Sequence, residues 1–238
     1  MDRLDALRNL PEPREVQLRL DGIVLGGSLS VPDDARGLVL FAHGSGSSRH
    51  SPRNRQVAAE LQRAGFAALL MDLLSAEEDA VDRVTREHRF DIPLLGERLV
   101  GAIDWLGEEP STRELPIGLF GASTGAAAAL RAAAARRDRV RAIVSRGGRP
   151  DLAGDALARV QAPTLLIVGA NDVPVIPLNE EARRRMRAPV RLVLVPGASH
   201  LFEEPGTLAE ASALAREWFL QHLAAAPRPA DGSEERSG

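Results

Sequence analysis

The feature that most constrains the fold of this chain is a serine flanked by glycines between a strand-like and a helix-like segment. Residues 117–120 are mostly apolar, Gly121-Ala-Ser-Thr-Gly125 follows, and an alanine-rich run covers 126–135. This order is the context in which Gly-x-Ser-x-Gly raises its serine at the top of a sheet. We expect Ser123 to have a positive φ and the flanking glycines to prevent collisions in the turn. The alternative is an ordinary strand-to-helix turn.

Apolar segments with strand character alternate with helical segments along most of the chain. Predicted parallel strands cover 38–42, 66–72, 117–120, 140–145, 164–169 and 190–195. Predicted helices cover 52–64, 92–106, 126–135, 178–186 and 208–223. Residues 16–20 and 23–29 flank Asp21-Gly22, a turn signal that predicts an antiparallel hairpin at a sheet edge. The pattern predicts an α/β fold with a mostly parallel, twisted sheet of about eight strands, helices on both faces and no large cap domain.

The chain is expected to form one domain over 15–225, because no linker-like composition interrupts that range. A loose segment is predicted for 1–14 and a disordered polar tail for 226–238. Residues 73–90 are rich in charged side chains, which predicts a mobile excursion beside the sheet edge or a short lid.

Composition and charge exclude several classes of function. The chain has 238 residues, a net charge of -3 and no cysteine, so thiolate catalysis, disulfides and cysteine-based metal sites are excluded. No broad basic field predicts a nucleic-acid partner. No group shows metal-ligand spacing, and we expect neither a metal nor a cofactor. The start of the chain lacks the apolar core of a signal peptide, and no run is long enough to span a bilayer, which predicts a soluble cytoplasmic protein.

Ser123, Asp172 and His200 each follow a predicted strand directly. Since ligands bind outside the carboxyl ends of parallel strands, we expect the three side chains to lie at one edge of the sheet. A strand separates Ser123 from Asp172, and another separates Asp172 from His200. The order Ser, Asp, His is that of the α/β-hydrolase triad.

The loop His43-Gly-Ser-Gly-Ser-Ser48 follows another predicted strand and leaves backbone N–H groups unobstructed. It could cradle a phosphate or contribute to an oxyanion hole. The ending of a Walker loop and the Gly-x-Gly-x-x-Gly spacing are both absent, which favours the oxyanion hole. We expect His43 to be a structural residue hydrogen-bonded within the loop. Asp72, at the end of the next strand, is expected to position a loop rather than to react.

Together these motifs resemble the α/β-hydrolase superfamily over about residues 15–225. The resemblance rests on residues 43–46, 121–125, 169–175 and 197–202. The compact size and the lack of a large cap insertion are similar to the dienelactone-hydrolase-like branch of small serine esterases. Dienelactone hydrolases proper carry a cysteine nucleophile, whereas this chain has Ser123, which points to ordinary carboxylic esters.

The resemblance implies acyl transfer from a small ester to water without a cofactor. Ser123 would be the nucleophile, His200 its base, and Asp172 the group that orients the imidazole. The backbone N–H groups of Thr124 and Ser45 would bind the tetrahedral oxyanion.

Several further residues are candidates for substrate binding. Gly44 leaves the loop backbone accessible, and arginines near the site mouth could bind a substrate carboxylate. These arginines are Arg49, Arg53, Arg146 and Arg149. The alternative for each is a solvated loop charge.

Other chemistries remain open on the same residues, because pocket shape decides the substrate. They are lactone or C–C bond hydrolysis, amide hydrolysis, and acyl transfer of the perhydrolase type. A second class of function is a ligand-binding protein that keeps the fold without turnover. The oligomeric state stays open.

Overall fold

The computed structural model describes residues 10–223. The predicted tail at 226–238 and most of the predicted loose segment at 1–14 lie outside the described residues.

The described residues form one eight-stranded sheet in the order β1-β2-β4-β3-β5-β6-β7-β8. The strands are β1 (Arg14–Leu20), β2 (Ile23–Ser30), β3 (Leu38–Ala42), β4 (Ala67–Met71), β5 (Ile117–Ala122), β6 (Val140–Arg146), β7 (Thr164–Gly169) and β8 (Val190–Val195). β2 pairs antiparallel with both β1 and β4, and the remaining pairs are parallel. The predicted hairpin is confirmed, with positive φ at both Asp21 and Gly22, as a primed two-residue turn requires.

Helices cover both faces of this sheet. They are α1 (Pro52–Arg63), α2 (Ala76–Thr85), α3 (Ile92–Glu108), α4 (Thr124–Ala135), α5 (Ile176–Arg185) and α6 (Thr207–His222). α1 and α6 contribute to the core on one face, and α3, α4 and α5 contribute to the core on the other. No cap domain is evident within the described range, so the predicted fold class is confirmed.

The charged segment after β4 contains a helix that the sequence analysis did not predict. α2 begins after Ser75, whose hydroxyl accepts the N–H of Glu78 while the Glu78 carboxylate accepts the N–H of Ser75. This reciprocal capping box satisfies donors that a helix start leaves free. A short 3-10 helix, His88–Phe90, follows. The Ser-x-x-Glu spacing is the sequence signal that could have identified α2.

Candidate active site

Ser123 lies on a strained turn between β5 and α4. Its φ of 51° and ψ of -123° belong to a region that residues other than glycine rarely adopt. A Cβ added to Gly121 would overlap the backbone of Ala126, and one added to Gly125 would overlap the carbonyl oxygen of Ala42. The two glycines therefore allow the helix to start directly against the strands, which leaves the serine at the sheet edge.

The side chains of Ser123, His200 and Asp172 form one chain of hydrogen-bonding contacts. His200 Nε2 lies 3.3 Å from Ser123 Oγ, and His200 Nδ1 lies 2.7 Å from Asp172 Oδ2. The Asp172 side chain is 9% exposed, whereas that of His200 is 37% exposed. An imidazole in this position can take a proton from the hydroxyl, and a buried carboxylate behind it can fix its tautomer.

The loop that carries His200 is held by contacts on both sides. The carboxylate of Glu204 accepts the N–H of Ser199 at 3.0 Å. Phe202 adopts a positive φ of 57° while its ring is almost fully buried. On the opposite side, a Cβ added to Gly147 would lie 2.7 Å from the carbonyl oxygen of His200. The imidazole is therefore positioned by close packing of the backbone around it.

His43 is buried and bonded within its own loop, in agreement with its predicted structural role. Its Nδ1 lies 2.9 Å from the carbonyl oxygen of Gly44, and its Nε2 accepts the N–H of Leu73 at 3.1 Å. These partners require a neutral ring that is protonated on Nδ1. Burial lowers the pKa of His43, because the charged form would lose its water. The ring thus ties the end of β3 to the end of β4.

The loop after β3 packs directly against the elbow. A Cβ added to Gly44 would lie 3.0 Å from Ser123 Cβ. The N–H of Ser45 donates to Thr124 Oγ1 at 3.0 Å, and the Ser45 and Thr124 hydroxyl oxygens are 3.2 Å apart. The N–H of Thr124, at the first position of α4, has no acceptor within its own helix. The two predicted oxyanion donors lie beside one another, but the N–H of Ser45 is bonded to the Thr124 hydroxyl, a group that the sequence analysis did not consider. The role of the Ser45 N–H toward an oxyanion stays a prediction.

A cavity of about 450 Å³ adjoins this loop, and His200 is not among its lining residues. Its walls include residues 43–50, the segment 72–76 and side chains of α2. Ser123 does not line it, but the adjacent Gly44 and Ser45 do. Arginines in the wall are each paired with a carboxylate in the wall, as Arg49–Asp72, Arg83–Asp79 and Arg89–Asp82.

The Asp82 carboxylate joins α2 to the short 3-10 helix. It accepts the N–H groups of His88 and Arg89, each at 2.9 Å, and Nε of Arg89 at 2.6 Å. Burial alone would raise the pKa of Asp82, but the hydrogen bonds and charge of Arg89 outweigh it and hold this pKa below its ordinary value. This segment forms one wall of the cavity, so the Asp82 carboxylate helps to shape that wall.

The predicted substrate-binding arginines lie in different places. Arg49 lines the cavity and donates its backbone N–H to Asp72 at 2.8 Å, which agrees with the predicted positioning role of that aspartate. Arg53 pairs with Glu203 at 3.1 Å in a separate cleft. Arg149 pairs with the nearby Asp151. Their contact with a substrate stays a prediction.

Arg146 is buried beside the elbow and does not line the cavity. Its guanidinium lies 5.9 Å from the ring centres of both Phe120 and Phe202. Burial lowers the pKa of Arg146 to about 10, and the nearby charge of Arg53 acts in the same direction. The Arg146 carbonyl oxygen accepts the N–H of Ser123 at 3.3 Å. In this structure Arg146 supports the elbow through its backbone.

Among residues 10–223, no group of three or more histidine, aspartate or glutamate side chains is arranged to hold a metal ion. The helices described here include none with the length and apolar character needed to cross a membrane.

Comparison with curated proteins finds a longer relative in Mycobacterium tuberculosis. A protein of strain H37Rv named "putative phosphoribosyl transferase" is 54% identical over 221 residues. The match covers 92% of this chain and 49% of the relative, so the chain spans about half the length of the curated relatives it matches. The name belongs to that longer protein.

Solved structures share the fold and, in one case, much of the sequence. The crystal structure of dienelactone hydrolase from Anabaena variabilis is 57% identical, with a TM-score of 0.89 over 90% of this chain and 100% of that one. Est1E from Butyrivibrio proteoclasticus has a TM-score of 0.72 at 17% identity, covering 87% of this chain and 98% of its own, and shows the fold alone. The family model for the dienelactone hydrolase family matches residues 25–225. This chain therefore belongs to the dienelactone hydrolase family.

Proposed function

We propose that this chain is a serine hydrolase that cleaves small carboxylic esters through an acyl-enzyme on Ser123. The observation that carries the proposal is the continuous contact from Ser123 Oγ through His200 to Asp172, at 3.3 and 2.7 Å. A serine hydroxyl is a weak nucleophile until an adjacent base removes its proton. The imidazole is the group within reach of this hydroxyl that can act as that base.

In the first step, Ser123 Oγ bonds to the ester carbonyl carbon while its proton passes to His200 Nε2. Asp172 stabilises the imidazolium that forms and remains ionised itself. The tetrahedral intermediate then expels the alcohol, whose oxygen takes the proton from His200. In the second step, a water molecule gives a proton to His200 and attacks the acyl carbon. Collapse of the second intermediate releases the acid, and the serine oxygen recovers its proton.

The environments of the two residues behind Ser123 suit these roles. The buried Asp172 carboxylate can hold Nδ1–H, which leaves the Nε2 lone pair facing the hydroxyl. His200 is exposed enough for an alcohol or a water molecule to approach it. Proton transfer from His200 to the leaving alcohol, and from the attacking water to His200, requires this combination.

The cavity beside Gly44 supports a small ester without an ionised group. Its volume of about 450 Å³ lies in the range of small-molecule sites. The arginines in its wall are already paired with carboxylates, so an anionic substrate would have to compete with them. We therefore infer a preference for neutral acyl or alcohol groups of modest size.

Ser123→Ala tests the nucleophile assignment. We expect hydrolysis of p-nitrophenyl butyrate to fall by about 10⁴-fold or more, because no other group can form the acyl-enzyme. A fluorophosphonate should label the unmodified chain once, on Ser123, and leave the variant unlabelled. Ser111→Ala, at an exposed serine in the loop between α3 and β5, is the matched control and should behave as the unmodified protein.

Turnover retained by Ser123→Ala would contradict the proposal, and so would labelling at another serine. A protein that neither labels nor hydrolyses any ester, although it binds one, would indicate a binding function instead. The charge preference is tested separately by comparing p-nitrophenyl butyrate with the monoanionic p-nitrophenyl succinate. The neutral ester should show the higher kcat/KM.

A further inference from the structure

The hydroxyl groups of Ser45 and Thr124 form a pair beside the reacting serine. Thr124 Oγ1 accepts the N–H of Ser45 at 3.0 Å and lies 3.2 Å from Ser45 Oγ. Thr124 is 4% exposed and follows Ser123 directly, whereas Ser45 is half-buried and lines the cavity. The pair joins the elbow to the loop after β3 across 79 residues of sequence.

A count of hydrogens shows that this pair has one proton to spare. Each hydroxyl carries one proton, and a single proton suffices for the contact between the two oxygens. If Ser45 Oγ–H donates, Thr124 Oγ1 accepts from both the N–H and the hydroxyl of Ser45, and its two lone pairs are used. The proton of Thr124 then remains free for another acceptor. Within the described residues, the hydroxyl of Thr124 has hydrogen-bond contacts with Ser45 alone.

We propose that the Thr124 hydroxyl, held by Ser45, donates a hydrogen bond to the oxyanion of the tetrahedral intermediate. The inference rests on the proposed function, because the oxyanion forms only if Ser123 attacks a carbonyl. The Thr124 side chain would act beside the backbone N–H of the same residue. The N–H of Ser45 would act mainly on Thr124 Oγ1, and so make its hydroxyl a better donor.

This arrangement favours the transition state over the bound ester. A hydrogen bond to an ionised oxygen is roughly twice as strong as one to a neutral oxygen. The hydroxyl therefore gains strength as charge develops, which raises kcat more than it lowers KM. Threonine is branched at Cβ and restricted in χ1, and burial restricts it further. A donor fixed before the reaction stabilises the oxyanion without reorganisation.

Thr124→Val and Thr124→Ser test the proposal as a matched pair. Valine keeps the shape of threonine but has no hydroxyl, and it retains the backbone N–H. We expect Thr124→Val to lower kcat by about 100-fold with little change in KM, as for the loss of one oxyanion donor. Thr124→Ser should recover activity to within about tenfold of the unmodified enzyme, because it restores the donor in a less restricted form. Ser45→Ala should cost less than Thr124→Val, since the Thr124 hydroxyl remains.

A second measurement separates donation from a change in fold. A trifluoromethyl ketone forms a tetrahedral oxyanion on the serine, whereas the corresponding unreactive amide binds without one. The affinity for the ketone should fall in Thr124→Val by the same factor as kcat/KM, while the affinity for the amide should not change. If valine prevents folding, Thr124→Ala replaces it in the same two measurements.

The inference is overturned if Thr124→Val keeps kcat within twofold of the unmodified enzyme, or exceeds it. It is also overturned if the ketone and the amide lose affinity equally. Ser123→Ala in the same assays keeps the two proposals apart. Hydrolysis retained by Ser123→Ala would contradict the proposed function itself. If Ser123→Ala is inactive while Thr124→Val stays active, only the role of the threonine hydroxyl is contradicted.

Discussion

The two sides of Ser123 are built by different means. On one side, the backbone around His200 is fixed by close packing, including positive φ at Phe202 and a glycine against the His200 carbonyl. On the other side, the cavity wall formed by α2 and the following 3-10 helix depends on charged pairs between side chains, such as Arg89–Asp82 and Arg98–Glu78. The first side holds the groups proposed to react, and the second faces the cavity proposed to bind the ester.

The difference indicates which parts of the site can change. A changed backbone contact in a close-packed turn displaces the neighbouring residues. We therefore expect few substitutions near the proposed reacting groups to be tolerated. An exposed ion pair such as Arg83–Asp79 contributes about 1 kcal/mol or less, and its side chains can be exchanged singly. The buried Asp82 is the exception on this side. We expect the chemistry to be insensitive to changes in α2 and the substrate range to be sensitive to them.

The largest expected effect on the packed side is that of Asp172→Asn. The amide cannot hold the imidazole in the required tautomer or stabilise its charge, and kcat should fall by about 10⁴-fold. Asp104→Asn is a control in a distant ion pair with Arg136 and should leave kcat unchanged. Steady-state hydrolysis of a p-nitrophenyl ester measures both. A loss below tenfold for Asp172→Asn would contradict the assignment of the carboxylate.

Gly125→Ala tests the packing itself. Its Cβ would overlap the carbonyl oxygens of Ala42 and His43, and we expect the free energy of unfolding to fall by about 1–3 kcal/mol, with loss of activity. Gly107→Ala is the control, because its Cβ would meet only the flexible end of Arg139 and alanine favours a helix by about 1 kcal/mol. Urea unfolding compares the two. Equal stability of both variants would show that the elbow tolerates a side chain.

Asp82→Asn examines the charged side. It should lower the free energy of unfolding by about 1–3 kcal/mol near neutral pH, since the partly exposed Arg89 loses its charged acceptor at the buried position 82. The folded-state pKa of Asp82 is depressed, so its stabilisation is present above the unfolded pKa of about 3.9 and is lost as pH falls through the lower folded value. The difference from the unmodified protein should therefore shrink at acidic pH in urea titrations. A difference that is constant with pH would argue against an ionised Asp82.

The smallest expected effect concerns His43, which joins the packed loop to the start of the cavity wall. Its folded-state pKa is lowered by burial, so acidification below about 6.5 protonates the unfolded chain first and destabilises the fold. The slope from this group is at most about 1.4 kcal/mol per pH unit. His43→Asn keeps a donor for the Gly44 carbonyl and should remove this part of the pH dependence. If the free energy of unfolding of the variant depends on pH as steeply as that of the unmodified protein, other groups cause this pH dependence.

Local sequence patterns were sufficient to predict the sheet, most of its helices and the convergence of Ser123, Asp172 and His200. Apolar runs mark the buried strands, and the carboxyl ends of parallel strands must meet at one edge. The glycines at 121 and 125 are visible in sequence because a tight turn leaves no alternative residue there. These features follow from backbone sterics and from burial, and both produce regular patterns of glycine and apolar residues in the sequence.

Only the tertiary structure decided which polar groups face one another. Three such contacts join residues distant in sequence. The N–H of Ser45 bonds to the Thr124 hydroxyl, Arg49 pairs with Asp72, and the buried Arg146 lies near the rings of Phe120 and Phe202. α2 escaped prediction for a different reason: it has few apolar residues, and the Ser75-x-x-Glu78 spacing that marks its start was not considered. The contacts between distant residues depend on side-chain direction after folding, and no spacing along the chain encodes that direction.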